Sequence, residues 1–341
     1  MRVLRKMPLK SVVILLAGLL ASLAAGCAGA PAAPSPAPAD SNGSTPTMMA
    51  MRIVSTATAA AASPAAPTVT PGVTASPAPS RAPSLTPSTT PTLAPDFWME
   101  LPVVPEVNER AREIYKKGLA LGNNPGAFSK VGDCEATTTW FLGMFDGPGE
   151  YYDLGEHSEL AGVIDAFAGS WERNSLAVKA GFSATSVMTP LWADPKQCEA
   201  GETPLACEYR LHKPAFALIM LGSNNAARPE RFEPQLRALL DETIARGIVP
   251  VLSTKADNLE GDHSINAAVA RLALEYDIPL WNFWAAVQPL PHHGLDTDGA
   301  HLTLGKPDFD DPYALQTAWT VRNLTALQVM DALRRGVEPA N

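Results

Sequence analysis

The feature that most constrains the fold is an unbroken apolar run at residues 215–221, Ala-Phe-Ala-Leu-Ile-Met-Leu. A run without polar alternation indicates a strand that is buried on both faces, as in the middle of a parallel sheet. Shorter runs at 127–131, 174–178, 249–252 and 278–283 predict four further strands. The sequence therefore predicts a sheet whose central strand is covered on both sides.

Helical patterns separate these strands. In one of them, Leu160, Val163, Ile164 and Phe167 recur at the spacing of one helix face. Similar patterns predict helices at 105–121, 157–168, 205–212, 230–246, 265–276 and 312–335. The alternation predicts an α/β fold, a three-layer, doubly wound, flavodoxin-like arrangement of five parallel strands with helices on both faces.

The first 27 residues have the organisation of an export signal. Four basic residues precede a short apolar stretch at 11–23: Arg2, Arg5, Lys6 and Lys10. The following Leu-Ala-Ala-Gly-Cys sequence, which ends at Cys27, resembles a lipobox. It implies a lipoprotein signal peptide, with acyl chains on Cys27 that attach the mature protein to a membrane. A plain secretory signal and an uncleaved anchor are the alternatives.

Residues 28–96 differ in composition from the rest, because Ala, Pro, Ser and Thr dominate and no aromatic residue occurs. Such a segment predicts a disordered tether, since it has too little apolar surface to offset chain entropy. Residues 97–341 are then the folded domain. We expect it to be held at the cell envelope, outside the cytoplasm. The formal net charge of −9 argues against nucleic acid as a partner.

The sequence contains four cysteines. With Cys27 assigned to lipid, Cys198 and Cys207 flank a short polar loop and predict a disulfide in an oxidising compartment. Cys134 is then left as a thiol, either reactive or simply small and buried. Pairing of Cys134 with Cys198 or Cys207 remains open, because spacing alone does not determine connectivity.

Residues suited to acyl transfer follow the predicted strands. Cys134 follows the first strand, Gly181 the second, Asn224 the third, and Asp298 with His301 the fifth. The carboxyl ends of parallel strands meet at one edge of a sheet, so we expect these residues to converge. Cys134 is the candidate nucleophile, His301 the base, and Asp298 the group that orients His301. The backbone N–H groups of Cys134 and Gly181, with the Asn224 amide, are the candidate oxyanion hole.

The same residues resemble the sequence blocks of the SGNH or GDSL hydrolases, a family of esterases and lipases. The blocks are matched in order by Gly132-Asp133-Cys134, by Gly181, by Gly222-Ser223-Asn224-Asn225 and by Asp298-Gly299-Ala300-His301. The resemblance covers nearly all of 127–335 and implies a carboxylic ester hydrolase. It also implies a substrate such as an O-acetylated polysaccharide, or a short-chain lipid ester, and no cofactor or metal.

Three positions depart from the family pattern. Cys134 replaces the nucleophilic serine, Asn225 replaces an aspartate that supports its block, and Glu135 stands where an apolar residue is usual. A thiol beside a histidine can ionise and attack. A carboxylate next to it disfavours the thiolate. Loss of the hydroxyl therefore leaves a second hypothesis, a non-catalytic lipoprotein that binds a ligand or carbohydrate.

Two further interpretations involve the loop near His301 and the tryptophans. The imidazole and carboxylate groups of the loop would suit zinc in a metal-dependent hydrolase; they are His292, His293, Asp296, Asp298 and His301. Nothing else in the sequence completes such a site, so we predict none. Trp140 and Trp192 are the candidates for stacking on a sugar ring.

Overall fold

The sheet has four parallel strands in the order β1-β2-β3-β4 in a computed structural model that describes residues 94–337. They are β1 (Asn124–Gly132), β2 (Pro214–Met220), β3 (Val249–Ser253) and β4 (Leu280–Trp281). Every residue of β2 is buried, as the apolar run predicts. The α/β class with a parallel, helix-flanked sheet is confirmed, but the prediction of five strands is wrong.

The missing strand is the one predicted at 174–178. Only Val178 pairs with β1, through an isolated parallel bridge to Gly132. The preceding backbone is satisfied by side chains, because Leu176 N–H donates to Glu208 Oε2 at 2.9 Å and Ala177 N–H donates to Ser175 Oγ at 3.1 Å. These side-chain acceptors therefore replace the backbone hydrogen bonds to β1 that would have made this segment an edge strand.

The described residues contain eight α-helices. Six correspond to the predicted patterns with shifted ends, whereas α3 (Ala184–Val187) and α7 (Phe283–Val287) were not predicted. Asn282 caps α7 through a bond from Ala285 N–H, which ends the predicted strand 278–283 after Trp281. The predicted helix 157–168 is a 3-10 turn, Gly155–Leu160, followed by α2, and the predicted helix 312–335 begins only at Ala318. The helices are α1 (Glu109–Ala120), α2 (Ala161–Ala166), α3 (Ala184–Val187), α4 (Pro204–His212), α5 (Phe232–Ala245), α6 (Ser264–Tyr276), α7 (Phe283–Val287) and α8 (Ala318–Val337).

The helices form two groups around the sheet. Helices α5 and α6 contact each other and β3, whereas α1 contacts β2 and β3 and packs against α8. The strands run in one direction and β1 ends at Gly132 opposite Met220, the last residue of β2. The loops that follow these strands therefore start from one edge of the sheet.

The predicted signal at 1–27, the lipidation residue Cys27 and the predicted tether up to residue 93 lie outside the described residues. Residues 338–341 of the predicted domain do so as well. Within 94–337, no helix combines the length and the apolar character needed to cross a membrane.

Candidate active site

Cys134 lies in a short 3-10 turn, Cys134–Ala136, that begins directly after β1. The turn is fixed by Asp133, whose Oδ1 accepts the Glu135 N–H at 3.1 Å. Asp133 is buried, and burial raises the pKa of its carboxyl above the ordinary value. Cys134 itself is half-buried and forms no disulfide. The sequence thus presents a thiol on a tightly held loop at the end of the first strand.

Asn224 joins the loops that follow β1 and β2. Its Nδ2 donates to Asp133 Oδ2 at 3.0 Å and to Phe182 O at 3.1 Å. The side chain of Asn224 is therefore beside the Cys134 turn and beside Gly181 at the same time. Both amide protons of Asn224 have protein acceptors in this structure, so an oxyanion would have to compete with Asp133 or Phe182 for one of them.

Gly181 adopts φ +80°, a left-handed conformation that favours glycine. It is exposed, and a Cβ placed on it would meet nothing within 4 Å. Asn225, which follows Asn224, supports this region because its Oδ1 accepts Ala184 N–H at 3.1 Å. Open space at Gly181 and a fixed neighbour at Ala184 are compatible with the predicted oxyanion donor.

Asp298 and His301 form a hydrogen-bonded pair. Asp298 Oδ2 lies 2.5 Å from His301 Nδ1, and Oδ1 accepts the backbone N–H groups of Ala300 and His301, each at 2.9 Å. The bond from the His301 ring and those from the two backbone N–H groups hold the pKa of Asp298 well below its ordinary value. This geometry directs Nδ1 to the carboxylate, so proton transfer to a reacting group would use Nε2.

Helix α8 connects the His301 loop to the Cys134 loop. Thr303, two residues after His301, accepts Trp319 N–H on its carbonyl oxygen at 3.1 Å and Ala318 N–H on Oγ1 at 2.9 Å. One turn further along α8, Arg322 Nη1 donates to Glu135 Oε2 at 2.9 Å. The first turns of a single helix thus hold Glu135, the residue after Cys134, and the loop that carries His301.

The pair of Glu135 and Arg322 is a feature that the sequence analysis missed. Arg322 is only 4% exposed and Glu135 17%. The Arg322 guanidinium lies 4.9–5.9 Å from the centroids of four aromatic rings, those of Phe141, Phe283, Trp319 and Trp281. Burial raises the pKa of Glu135 to about 7 despite the opposing effect of Arg322. The available signal was the position of Arg322, three residues after Trp319 on the apolar face of α8.

A second cluster of buried charges lies below the Asn224 loop. Lys255 Nζ contacts Asp257 Oδ1 and Glu260 Oε2, each at 2.6 Å, and Ser223 Oγ donates to Asp257 Oδ2 at 2.6 Å. A cavity of about 20 Å³ separates this cluster from Glu135 and Arg322. Sequence reasoning gave no indication of this network, because its members follow different strands.

A surface groove of about 710 Å³ is lined in part by the segment that follows the Cys134 turn, from Thr138 onwards. Trp140 and Trp319 form one wall, with ring centroids 6.4 Å apart, and Tyr151 is exposed. The groove is also lined by polar groups and by the segment that follows the His301 loop: Thr138, Thr139, Glu172, Gly305, Pro307 and Asn323. Trp192, the other tryptophan proposed for sugar stacking, instead packs its ring 6.4 Å from Phe182, with Lys179 Nζ over it at 5.5 Å.

Cys198 and Cys207 are joined by a disulfide, and Cys134 takes no part in it. Of the residues at 94–337, the one group of three potential metal ligands consists of these two cysteines and Glu202. The two sulfurs are already bonded to each other. The histidines and aspartates at 292–301 form no such group within the same described part of the chain.

Comparisons with known proteins give distant similarity to solved structures. No protein-family model matches the sequence, and neither does any curated protein. Among solved structures, the chain is similar to the crystal structure of a GDSL-like lipase from Bacteroides thetaiotaomicron VPI-5482. The sequence identity is 14%, the match covers 65% of this chain and 97% of that chain, and the TM-score is 0.39. This similarity is too distant to assign the chain to a family.

The bonds of Asn224 predict a pH-dependent effect of Asn224→Asp. The new carboxylate would lie beside buried Asp133, and the pair would retain a proton in the folded state that the unfolded chain has lost at neutral pH. The variant should therefore be destabilised by about 1–2 kcal/mol at pH 8 and by less at pH 5, because stability is lost as pH rises through the raised pKa. Urea unfolding at both pH values measures this difference.

Asn225→Asp is the matched control, since Asn225 Oδ1 already accepts an N–H. At pH 8, Asn225→Asp should lower the free energy of unfolding by less than Asn224→Asp does. Equal losses for the two variants, or no change with pH for Asn224→Asp, would contradict the placement of Asn224 beside Asp133.

Proposed function

We propose that this protein is an ester hydrolase of the SGNH type that uses Cys134, His301 and Asp298. The observation that carries the proposal is the bond between Asp298 Oδ2 and His301 Nδ1, on a loop that α8 ties to the Cys134 turn. A base oriented by a carboxylate, linked through one helix to a turn that carries a thiol, provides the groups that acyl transfer requires.

In the proposed reaction, Cys134 Sγ attacks the ester carbonyl carbon while His301 Nε2 accepts the thiol proton. The carbon–oxygen bond of the tetrahedral intermediate breaks, and the alcohol leaves with the proton from His301. Water then attacks the thioester with His301 as base, which releases the carboxylic acid and restores the thiol. Gly181 N–H is the proposed first donor to the oxyanion, with Asn224 as second donor when it gives up one of its present acceptors.

The proposed substrate is a small acyl ester, with an acetylated glycan as the first choice. The groove supports this choice because its aromatic walls and hydroxyl groups suit a sugar ring better than a long acyl chain, which requires a continuous apolar channel. No step of the proposed reaction uses a cofactor or metal.

The catalytic proposal predicts a loss of activity in Cys134→Ala. The full chain should hydrolyse a chromogenic short-chain acetate, and Cys134→Ala should reduce kcat/KM by at least about 100-fold because no nucleophile remains. Asp298→Asn should lower kcat by about 100-fold or more while the fold is retained. Initial rates across substrate concentrations, with circular dichroism as a control, measure both effects.

Equal rates for the wild type and Cys134→Ala would remove the enzyme proposal. Activity that appears only in Cys134→Ser would indicate a site that has kept its base and oxyanion donors but does not turn over with a thiol. A loss of activity with chelator would instead favour the metal-dependent hydrolase.

The second candidate is a protein that binds a carbohydrate without turnover. Two features favour this alternative, the replacement of the expected serine by Cys134 and a groove with exposed Trp140 and Tyr151. Trp140→Ala should weaken binding of an acetylated oligosaccharide about tenfold or more, since one aromatic stacking surface is lost. Calorimetric titration measures this, with Trp192→Ala as the control. Equal affinities for all three proteins would exclude the groove as a sugar site.

We also propose a location outside the cytoplasm, with lipid on Cys27 as the membrane anchor. The basic and apolar organisation of residues 1–27 and the disulfide between Cys198 and Cys207 support this proposal. Cys27→Ser should move the protein from the membrane fraction to the soluble fraction of the producing cell. The fractions are compared by immunoblot, and an unchanged membrane fraction would contradict lipid anchoring at Cys27.

A further inference from the structure

The inference concerns the cavity of about 20 Å³ behind the Cys134 turn. Two acidic residues, Asp133 and Glu135, line it from the end of β1, and Cys134 is the residue between them. Arg322 approaches it from α8, and Lys255 from the segment after β3. A cavity of this size holds one water molecule and no larger ligand.

The two cations that line the cavity, Lys255 and Arg322, have different carboxylate partners. Lys255 already contacts both Asp257 and Glu260. Arg322 is thus the cation that compensates the groups at 133–135. It contacts Glu135 directly, and its charge opposes the raised pKa of Asp133. The carboxyl groups of Asp133 and Glu135 therefore compete for the field of one guanidinium. A thiolate on Cys134, the residue between them, would add a third negative charge, and ionisation of any one of these groups disfavours ionisation of the others.

Two polar atoms of this group have no protein partner. Glu135 Oε1 and Arg322 Nε are both inaccessible to solvent, and neither has a hydrogen bond within the described residues. Both residues line the cavity. A buried acceptor and a buried donor without partners are each costly, and a single water molecule can satisfy both by donating to the carboxylate oxygen and accepting from Nε–H.

We propose that Glu135 and Arg322 form a positioning pair for Cys134, completed by one buried water molecule, in which the ionised carboxylate of Glu135 restrains formation of the Cys134 thiolate. The inference rests on the proposed role of Cys134 as nucleophile and adds a regulation of that site. When Glu135 is protonated, the charge of Arg322 is available to stabilise a thiolate on the adjacent residue. When Glu135 is ionised, that charge is compensated and the thiol is retained.

Because Glu135 changes its charge near neutral pH, its effect on thiolate formation at Cys134 changes in the same range. Its pKa of about 7 results from burial first, opposed by Arg322 and increased further by Asp133 and Asp257. The charged groups that act on it thus come from its own loop, from α8 and from the segment after β3. A carboxyl in ordinary surroundings would be ionised throughout the range in which a thiol begins to titrate.

The test measures thiol reactivity, which needs no substrate. The peptide that contains Cys134 is followed by mass spectrometry during alkylation of the full chain with iodoacetamide between pH 5.5 and 9.5. In Glu135→Gln, which keeps the size of the side chain and a bond to Arg322, the midpoint of the rate against pH should fall by about one unit. Alkylation at pH 7 should then be up to about tenfold faster than in the wild type.

Glu113→Gln is the matched control, because it removes the carboxylate of an exposed pair with Arg110. It should leave the profile of Cys134 unchanged. If the alkylation rate of Cys134 depended on pH in the same way in the wild type and in Glu135→Gln, the proposed effect of Glu135 on thiolate formation would be overturned. An equal acceleration in Glu113→Gln would overturn it as well. Because no ester is involved, an inactive wild type with a shifted Glu135→Gln profile would count against the proposed hydrolase but support this inference.

The water molecule is tested by a crystal structure of the wild type at a resolution that shows ordered solvent. Density within hydrogen-bonding distance of both Glu135 Oε1 and Arg322 Nε is the expected result. An empty cavity, or a rearrangement in which the two atoms contact each other directly, would overturn this part of the proposal.

Discussion

The arrangement of the candidate site depends on the burial of one arginine. Arg322 lies among four aromatic rings and forms an ion pair with Glu135. A buried guanidinium without a partner would be strongly unfavourable, so the pair fixes the distance between α8 and the turn after β1. The same helix binds Thr303 through its first N–H groups. The two halves of the proposed triad are thus held by one rigid element rather than by two independent loops.

The parts of the fold that follow from local patterns were predictable. The apolar run at 215–221 corresponds to β2, and the helical stripe around Leu236 and Leu240 corresponds to α5. The strand predicted at 174–178 failed because its backbone bonds to the side chains of Glu208 and Ser175, and a pattern of apolar residues contains no information about such distant acceptors. Strand β4 is short for a related reason, since Asn282 starts a helix where the apolar run continues.

The same distinction between local and distant contacts applies to the candidate site. The sequence located Asp298 and His301 as neighbours because a spacing of three residues on a loop suffices to join them. It did not find the contact of Glu135 with Arg322, which are 187 positions apart, or the contacts of Lys255 below Asn224. The oxyanion role of the Asn224 amide stays a prediction, and the sequence did not indicate that this amide donates to Asp133 and Phe182. Ionic contacts between distant residues, and the acceptors that a given N–H group finds, are determined only when the chain has folded, so local sequence patterns do not predict them.

The place of α8 at the end of the described chain has a consequence for biosynthesis. Strand β1 and the thiol after it are translated before the other strands, but α8, which completes their surroundings, is the last of the described elements to be translated. Contacts across so long a separation form late, because much of the chain must be ordered first. A chain on which α8 has not yet been translated therefore carries Cys134 without Arg322. The thiol would gain these surroundings only after α8 has been translated and has packed against the rest of the domain.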